Sequence, residues 1–308
     1  MTPGGEGDFL LGVNLPWVTY GCDFGANAWQ PGGGVGSPGR LARIETLFAR
    51  LAARGLRHVR WFALCDGRAG VVIDDRGMPR GLDGFVQRDL DAGVAAASRN
   101  GVTLTLVIFD FQWCARPRQV NGVTLGGRRR LLASAPERSA LLDRVVRPLL
   151  ARYGHEPTIV AWDLFNEPEW ATFGYGSLNP LRTLWPWQMR AALHELAGAV
   201  RAETSQLVTV GLASFRGSRL LCDDDVDLYQ VHRYDARSPL PPPLSGKWTG
   251  RRVLLGEFPT AGPVESTRAI VRAARERRYC GALGWSALAA DEHSQLDALE
   301  EAITPRRV

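Results

Sequence analysis

The chain is almost without lysine: of its 37 basic residues, only Lys247 is not arginine. Its five cysteines, Cys22, Cys65, Cys114, Cys222 and Cys280, contain no C-x-x-C pair. No apolar run approaches the ~20 residues that a membrane-spanning helix needs, and no set of histidines is clustered. Each lack excludes something. The lack of paired cysteines argues against a zinc ribbon. An odd, widely spaced cysteine count argues against a disulfide framework and for a reducing compartment. The arginines are scattered and form no basic stripe interleaved with aromatics. No nucleic-acid partner is therefore expected, despite a net charge of +5. The one basic run, Arg128-Arg129-Arg130, lies in a glycine-containing loop. It reads as a solvated loop, with an acidic group on a ligand as the sharper alternative. Residues 1–8 carry no basic segment followed by a long apolar one. As the sequence stands this points to the cytoplasm, or to secretion if a leader has been trimmed. No membrane, metal or cofactor is expected, and a monomer is.

What is present is an alternation. Short apolar runs occupy 9–13, 58–63, 102–109, 159–165, 207–211, 226–231, 253–256 and 282–286. Helical patterns lie between them at 41–54, 85–99, 136–153, 186–203 and 266–278, with weaker ones at 215–222 and 244–250 and a last one at 296–303. Strands alternating with helices imply a parallel sheet. Eight such units in 308 residues predict one closed (β/α)8 TIM barrel as a single domain. No linker or repeat divides the chain. An open doubly wound sheet would place a glycine-rich turn directly after the first strand. The glycines at 32–36 come about twenty residues too late for that.

Polar residues gather where each apolar run stops, at the end where barrels place their chemistry. The strand-to-helix loops 14–38, 110–135 and 166–185 are the longest and should wall a cleft on that face. Two glutamates stand out, Glu167 after the fourth run and Glu257 after the seventh. Those strands lie on roughly opposite sides of a barrel mouth. Two carboxylates facing across a cleft are what glycoside cleavage requires. The triple Asp223-Asp224-Asp225 precedes the sixth run and reads as a solvated turn rather than a metal site.

Arg60, with Asn166-Glu167-Pro168, His232-x-Tyr234, Gly256-Glu257-Phe258 and Trp285 in that order and at those strand ends, resembles the signature of clan A retaining glycoside hydrolases. The resemblance is to the family 5, cellulase-like group and spans strands two to eight. It implies hydrolysis of β-glycosidic bonds in a gluco- or manno-configured oligo- or polysaccharide by double displacement. Glu167 would be the acid/base and Glu257 the nucleophile. Asn166 would bind the sugar 2-hydroxyl, Arg60 and Tyr234 would touch Glu257, His232 would lie near Glu167, and Trp285 would floor the sugar site. Trp29, Trp113 and Asp110 are further candidate substrate contacts. Asp110 stands where the family pattern has a histidine. A nearby arginine and tyrosine should depress the Glu257 pKa, while a less polar setting should raise that of Glu167. A catalytically weak carbohydrate-binding pseudoenzyme on the same barrel is the alternative. The sequence leaves endo and exo action open.

Overall fold

The computed structural model describes residues 9–222, 224–235, 240, 251–262, 266–288 and 291–303. Eight parallel strands close into a barrel: β1 (Leu10–Leu15), β2 (His58–Phe62), β3 (Thr103–Asp110), β4 (Ile159–Asn166), β5 (Leu207–Leu212), β6 (Leu228–His232), β7 (Val253–Pro259) and β8 (Gly281–Trp285). β1 pairs with both β2 and β8, which completes the ring. Every predicted strand is therefore present within a few residues. The apolar alternation produces it: Val59 and Trp61 face outward onto helices, while His58, Arg60 and Phe62 share the inner side.

The interior is filled in tiers. Leu228, Leu254 and Leu283 pack at the amino-terminal end. Above them, buried His58 bonds the hydroxyls of Thr103 and Thr105, at 2.9 and 3.0 Å. Above these lie Arg60, Asp163 and Gln230, all fully buried. A barrel centre is usually aliphatic. Here its upper half is polar, and that polarity is where the site begins.

Helices Pro38–Ala53, Val86–Arg99, Pro186–Glu203, Thr267–Glu276 and Leu296–Ile303 occupy their predicted places. The pattern at 136–153 is not one straight helix. It is interrupted by a π-helical turn at Leu142–Val146. The weak pattern at 215–222 is a short 3-10 helix, Phe215–Leu220, and 244–250 lies outside the described residues. Among the described residues no helix is long and apolar enough to cross a membrane. The turn at 224–225 is not wholly solvated as expected. Asp225 is buried, accepting from the Cys222 amide at 2.7 Å and facing His194 Nδ1 at 2.8 Å, which closes the entry to β6.

Two hairpins follow β2 and β3, at Val71–Ile73 with Pro79–Leu82 and at Arg118–Val120 with Val123–Leu125. The second turns on Asn121-Gly122, both at positive φ, a strong short-range hairpin signal that the alternation of barrel elements had masked.

The glycines at 32–36 do have a purpose. Buried Asp89 accepts three amides from the first loop: Gly25 at 3.0 Å, Gly34 at 2.7 Å and Gly36 at 3.0 Å. A Cβ at Gly34 would sit 1.8 Å from the Asp23 carbonyl oxygen, so only glycine lets the loop close this tightly. Asp23 in turn accepts from the Val18 and Thr19 amides and from Trp61 Nε1. The first loop is thus sewn to the barrel by two carboxylates. Asp89→Ala would strand three donors and should cost at least ~2 kcal/mol in urea unfolding. A change within ~0.5 kcal/mol would show the loop to be independently held.

Candidate active site

Arg60 is the hub. Its guanidinium has no solvent exposure and makes four contacts from β2. Nε donates to Asp163 at 2.8 Å, Nη1 to Asn14 at 3.0 Å and to Glu257 at 2.6 Å, and Nη2 to Asn166 at 2.8 Å. Asp163 also accepts from Gln230 at 2.7 Å and from the Gly211 amide at 3.0 Å. Asn14 passes the network on to the Gly256 carbonyl at 2.9 Å. Asn166 donates to Asp110 at 2.8 Å. Gly211 is required behind this cluster, since a Cβ there would lie 2.5 Å from Arg60 Nη2.

Glu257 sits inside this network, 3% exposed. Besides Arg60 it accepts from the Tyr234 hydroxyl at 2.8 Å. The ladder shifts register at Val231/His232 and again between Leu255 and Phe258. Such irregularities re-aim side chains near functional sites, and these two flank Glu257. The expected depression of its pKa does not occur. Complete burial pushes the carboxyl above the usual glutamate range, and His232, Arg60 and Tyr234 only pull it part of the way back. The reason is that the same barrel walls that supply the cation also remove the water.

Glu167 lies just past β4 with φ +48° and ψ +57°. That left-handed conformation costs a non-glycine residue about 1–3 kcal/mol. It is held by the Glu167 amide donating to the Gly211 carbonyl at 2.7 Å and the Trp170 amide donating to the Glu167 carbonyl at 3.1 Å. Below it, Glu169 accepts the Ala213 and Ser214 amides, both at 3.0 Å, tying the β4 loop to the β5 loop. The Glu167 carboxyl faces His232 Nδ1 at 3.0 Å and accepts from Trp170 Nε1 at 3.0 Å. Burial raises its pKa to about 7, against a smaller opposing pull from Arg60. Burial likewise lowers the His232 pKa to about 4, so its ring is neutral near neutrality. One donor atom each of Glu167, His232 and Glu257 lie within 4.8 Å of one another. A cation could be ligated there, but the Arg60 guanidinium already fills that electrostatic role at Glu257.

Both carboxylates open into one cavity of about 470 Å³ lined by Trp17, Tyr20, Asp110, Trp170, Tyr234 and Trp285 among others. Trp285 packs over Phe62, Cys65 and Val107 and donates Nε1 to Asp291 at 2.9 Å. Predicted Arg60, Asn166, His232, Tyr234, Trp285 and Asp110 are thus brought together with the two glutamates. Asp110 is buried, and burial raises its pKa to about 7. Two tryptophans are not part of this cavity. Trp113 is fully buried against Phe109, so it is a core residue and not a substrate contact. Trp29 is partly exposed but lines a neighbouring hollow. Sequence reasoning missed Asp163, Gln230, Glu169 and His293, the last of which lines the cavity with its ring against that of Tyr234. Asp163 carried a signal: a carboxylate within the apolar strand Trp162-Asp163-Leu164 demands a buried cation.

No protein-family model matches the chain. It is 23% identical over 334 aligned positions to a mannan endo-1,4-β-mannosidase of Mytilus edulis, covering 95% of this chain and 87% of that protein. Its structure superposes on an endo-1,4-β-mannanase from Eisenia fetida with a TM-score of 0.81 and 21% identity, over 96% of this chain and 90% of that one. A glycoside hydrolase family 5 mannosidase from Rhizomucor miehei matches with a TM-score of 0.59 and 14% identity, over 97% and 94%. The chain is similar to mannan endo-1,4-β-mannosidases, and its fold is that of a family 5 mannosidase. The resemblance spans nearly its whole length and extends to the closed eight-strand barrel.

Arg60→Leu would leave Asp163 and Glu257 as buried, unpaired charges. It should cost about 3–5 kcal/mol in denaturant titration. A loss below ~1 kcal/mol would show that the network can re-pair without its cation.

Proposed function

We propose that the chain is a retaining, endo-acting β-1,4-mannanase with Glu167 as acid/base and Glu257 as nucleophile. The observation that carries this is the pair itself: two carboxylates with oxygens within 4.8 Å, in opposite settings. Glu257 is fixed by a permanent cation and a phenol, both of which favour its charged form. Glu167 has an indole, a neutral imidazole and a pKa raised to about 7. Retaining glycosidases hold their carboxyl groups about 5–5.5 Å apart, whereas inverting ones leave about 6.5–9.5 Å for a water. The close approach of oxygens supports the retaining class.

In this reading Glu167 gives its proton to the glycosidic oxygen as the Glu257 carboxylate attacks the anomeric carbon. The C–O bond to the leaving sugar breaks and an ester to Glu257 forms. Glu167, now ionised, takes a proton from water, and that water displaces Glu257. Arg60 and Tyr234 hold Glu257 in line, and both can receive its charge back. Asn166, fixed by Arg60 and Asp110, is placed to meet the 2-hydroxyl. Mannan as substrate and internal cleavage rest on the relatives' described activity, and the hollow that continues beyond the cavity favours a chain passing through. The intact carboxylate pair disfavours a pseudoenzyme.

Glu257→Gln and Glu167→Gln should each cut kcat/KM on mannan by at least ~10²–10⁴ while folding normally, as read by a reducing-sugar assay. Wild-type rates in either would remove that residue from the mechanism. Viscosity should fall before monosaccharide accumulates. Release of monosaccharide alone would make the action exo.

The proton on Glu167 also sets a pH limit. Its pKa in the free protein is raised to about 7, so kcat/KM should fall tenfold per pH step above that value. A basic limb lying in the ordinary glutamate range would contradict the assignment.

A further inference from the structure

Beside the cavity of the glutamates lies a larger hollow of about 1100 Å³, joined to it through Tyr20 and Gln112, which line both. Trp29 stands in its wall, 38% exposed, with its indole anchored to the Val120 carbonyl at 3.2 Å. The rest is basic. Arg68, Arg116, Arg118 and Arg182 line it, against a single carboxylate, Asp66. That carboxylate is already taken, by Arg68 Nη2 at 2.6 Å and Nε at 2.9 Å. Arg116, Arg118 and Arg182 are exposed and have no ion pair among the described residues. They come from two different loops, 110–135 and 166–185, folded toward one another. An adjoining recess of about 520 Å³ shares Arg116 and Arg182 and adds Arg129 and Arg130, with no acid in its lining.

The chain's arginine bias does not account for this. Over the whole sequence 37 basic residues face 32 acidic ones, whereas this hollow holds four arginines and one aspartate. Three uncompensated guanidiniums around one concavity repel each other and raise the local concentration of anions. Guanidinium forks match the oxygens of carboxylates and sulfates in two-point contacts. A neutral mannan offers them hydroxyl acceptors but no opposite charge.

We propose that this hollow is a subsite for sugar units bearing an anionic substituent, a carboxylate or a sulfate ester. The preferred polymer is then an acidic β-mannan-type chain rather than a neutral one. Trp29 supplies a face for a sugar ring, and Arg116, Arg118 and Arg182 hold the anion. The inference deepens the mannanase reading and rests on it.

The test compares kcat/KM for neutral mannan, mannan oxidised to carboxylate at C6, and sulfated mannan, at low and at 0.5 M sodium chloride. The triple variant Arg116→Gln, Arg118→Gln, Arg182→Gln is run beside the wild type. An anionic polymer should be preferred by at least about fivefold at low salt, because exposed charges are screened beyond ~10 Å at 0.1 M. The ratio of acidic to neutral kcat/KM should collapse below about twofold in the triple variant and in high salt. Preference for neutral mannan, or an unchanged ratio in the variant, would overturn the subsite. Whether the carboxylate or the sulfate form gains more identifies the anion. Affinity electrophoresis in gels containing each polysaccharide separates this inference from the one beneath it. Retardation by an acidic mannan that is lost in the triple variant upholds the subsite even if no polymer is cleaved. Equal retardation by polyglutamate, which has no sugar rings, would reduce the hollow to a non-specific basic surface and overturn it.

Discussion

One buried cation organises this molecule. The Arg60 guanidinium reaches four side chains on three other strands, two of them carboxylates, from a position with no solvent exposure. An isolated buried charge is costly, and a buried pair breaks even only when every donor and acceptor is used. Here the donors go to Asp163, Asn14, Glu257 and Asn166. The remaining carboxylate acceptors are met by Gln230, the Gly211 amide and Tyr234, and the Asn14 side-chain amide donates to the Gly256 carbonyl. The upper barrel is therefore polar by design of its own hydrogen bonds. Glu257 and Asn166 are the partners of Arg60 that also face the open cavity.

The two glutamates differ because of what the strands bring to each. Both are desolvated, and desolvation dominates the shift of both carboxyls. What separates them is the partner set. Glu257 is gripped by a cation and a phenol. Glu167 stands in a left-handed turn, above a loop pinned by Glu169, beside an imidazole that burial keeps neutral. A carboxyl with no adjacent donor of full positive charge holds its proton longer. The different settings of the two carboxyls thus follow from which strand each glutamate ends and which neighbours that strand end meets.

Much of this was legible in the chain. The eight apolar runs specified eight strands because burial on both faces leaves little choice but a parallel sheet. Asn166-Glu167-Pro168 and Gly256-Glu257-Phe258 marked the strand ends where turns begin. Three kinds of information were not legible. The first was burial depth: Trp113 follows a strand tip like its neighbours but turns into the core against Phe109, which residue type alone does not decide. The second was the balance of opposing electrostatic effects at Glu257, where the cation could be foreseen but the lost water could not. The third was long-range partnership. Asp89 is an ordinary helix residue in the sequence, yet it closes a loop 55 residues earlier through the Gly34 amide. The Asn121-Gly122 hairpin was legible in principle, and it supplies part of the basic hollow beside the site.

In the proposed double displacement Glu257 attacks one face of the sugar and Glu167 serves the other. Azide rescue of alanine variants on an aryl β-mannoside or mannobioside with a good leaving group tests this most directly. Removing Glu167 leaves room on the β face beside an intact glycosyl-enzyme, and removing Glu257 leaves room on the α face. NMR should find the β-glycosyl azide from Glu167→Ala and the α-glycosyl azide from Glu257→Ala. The opposite pair of anomers would mean that the roles are exchanged, and an inverted product from the wild type would contradict the double displacement itself.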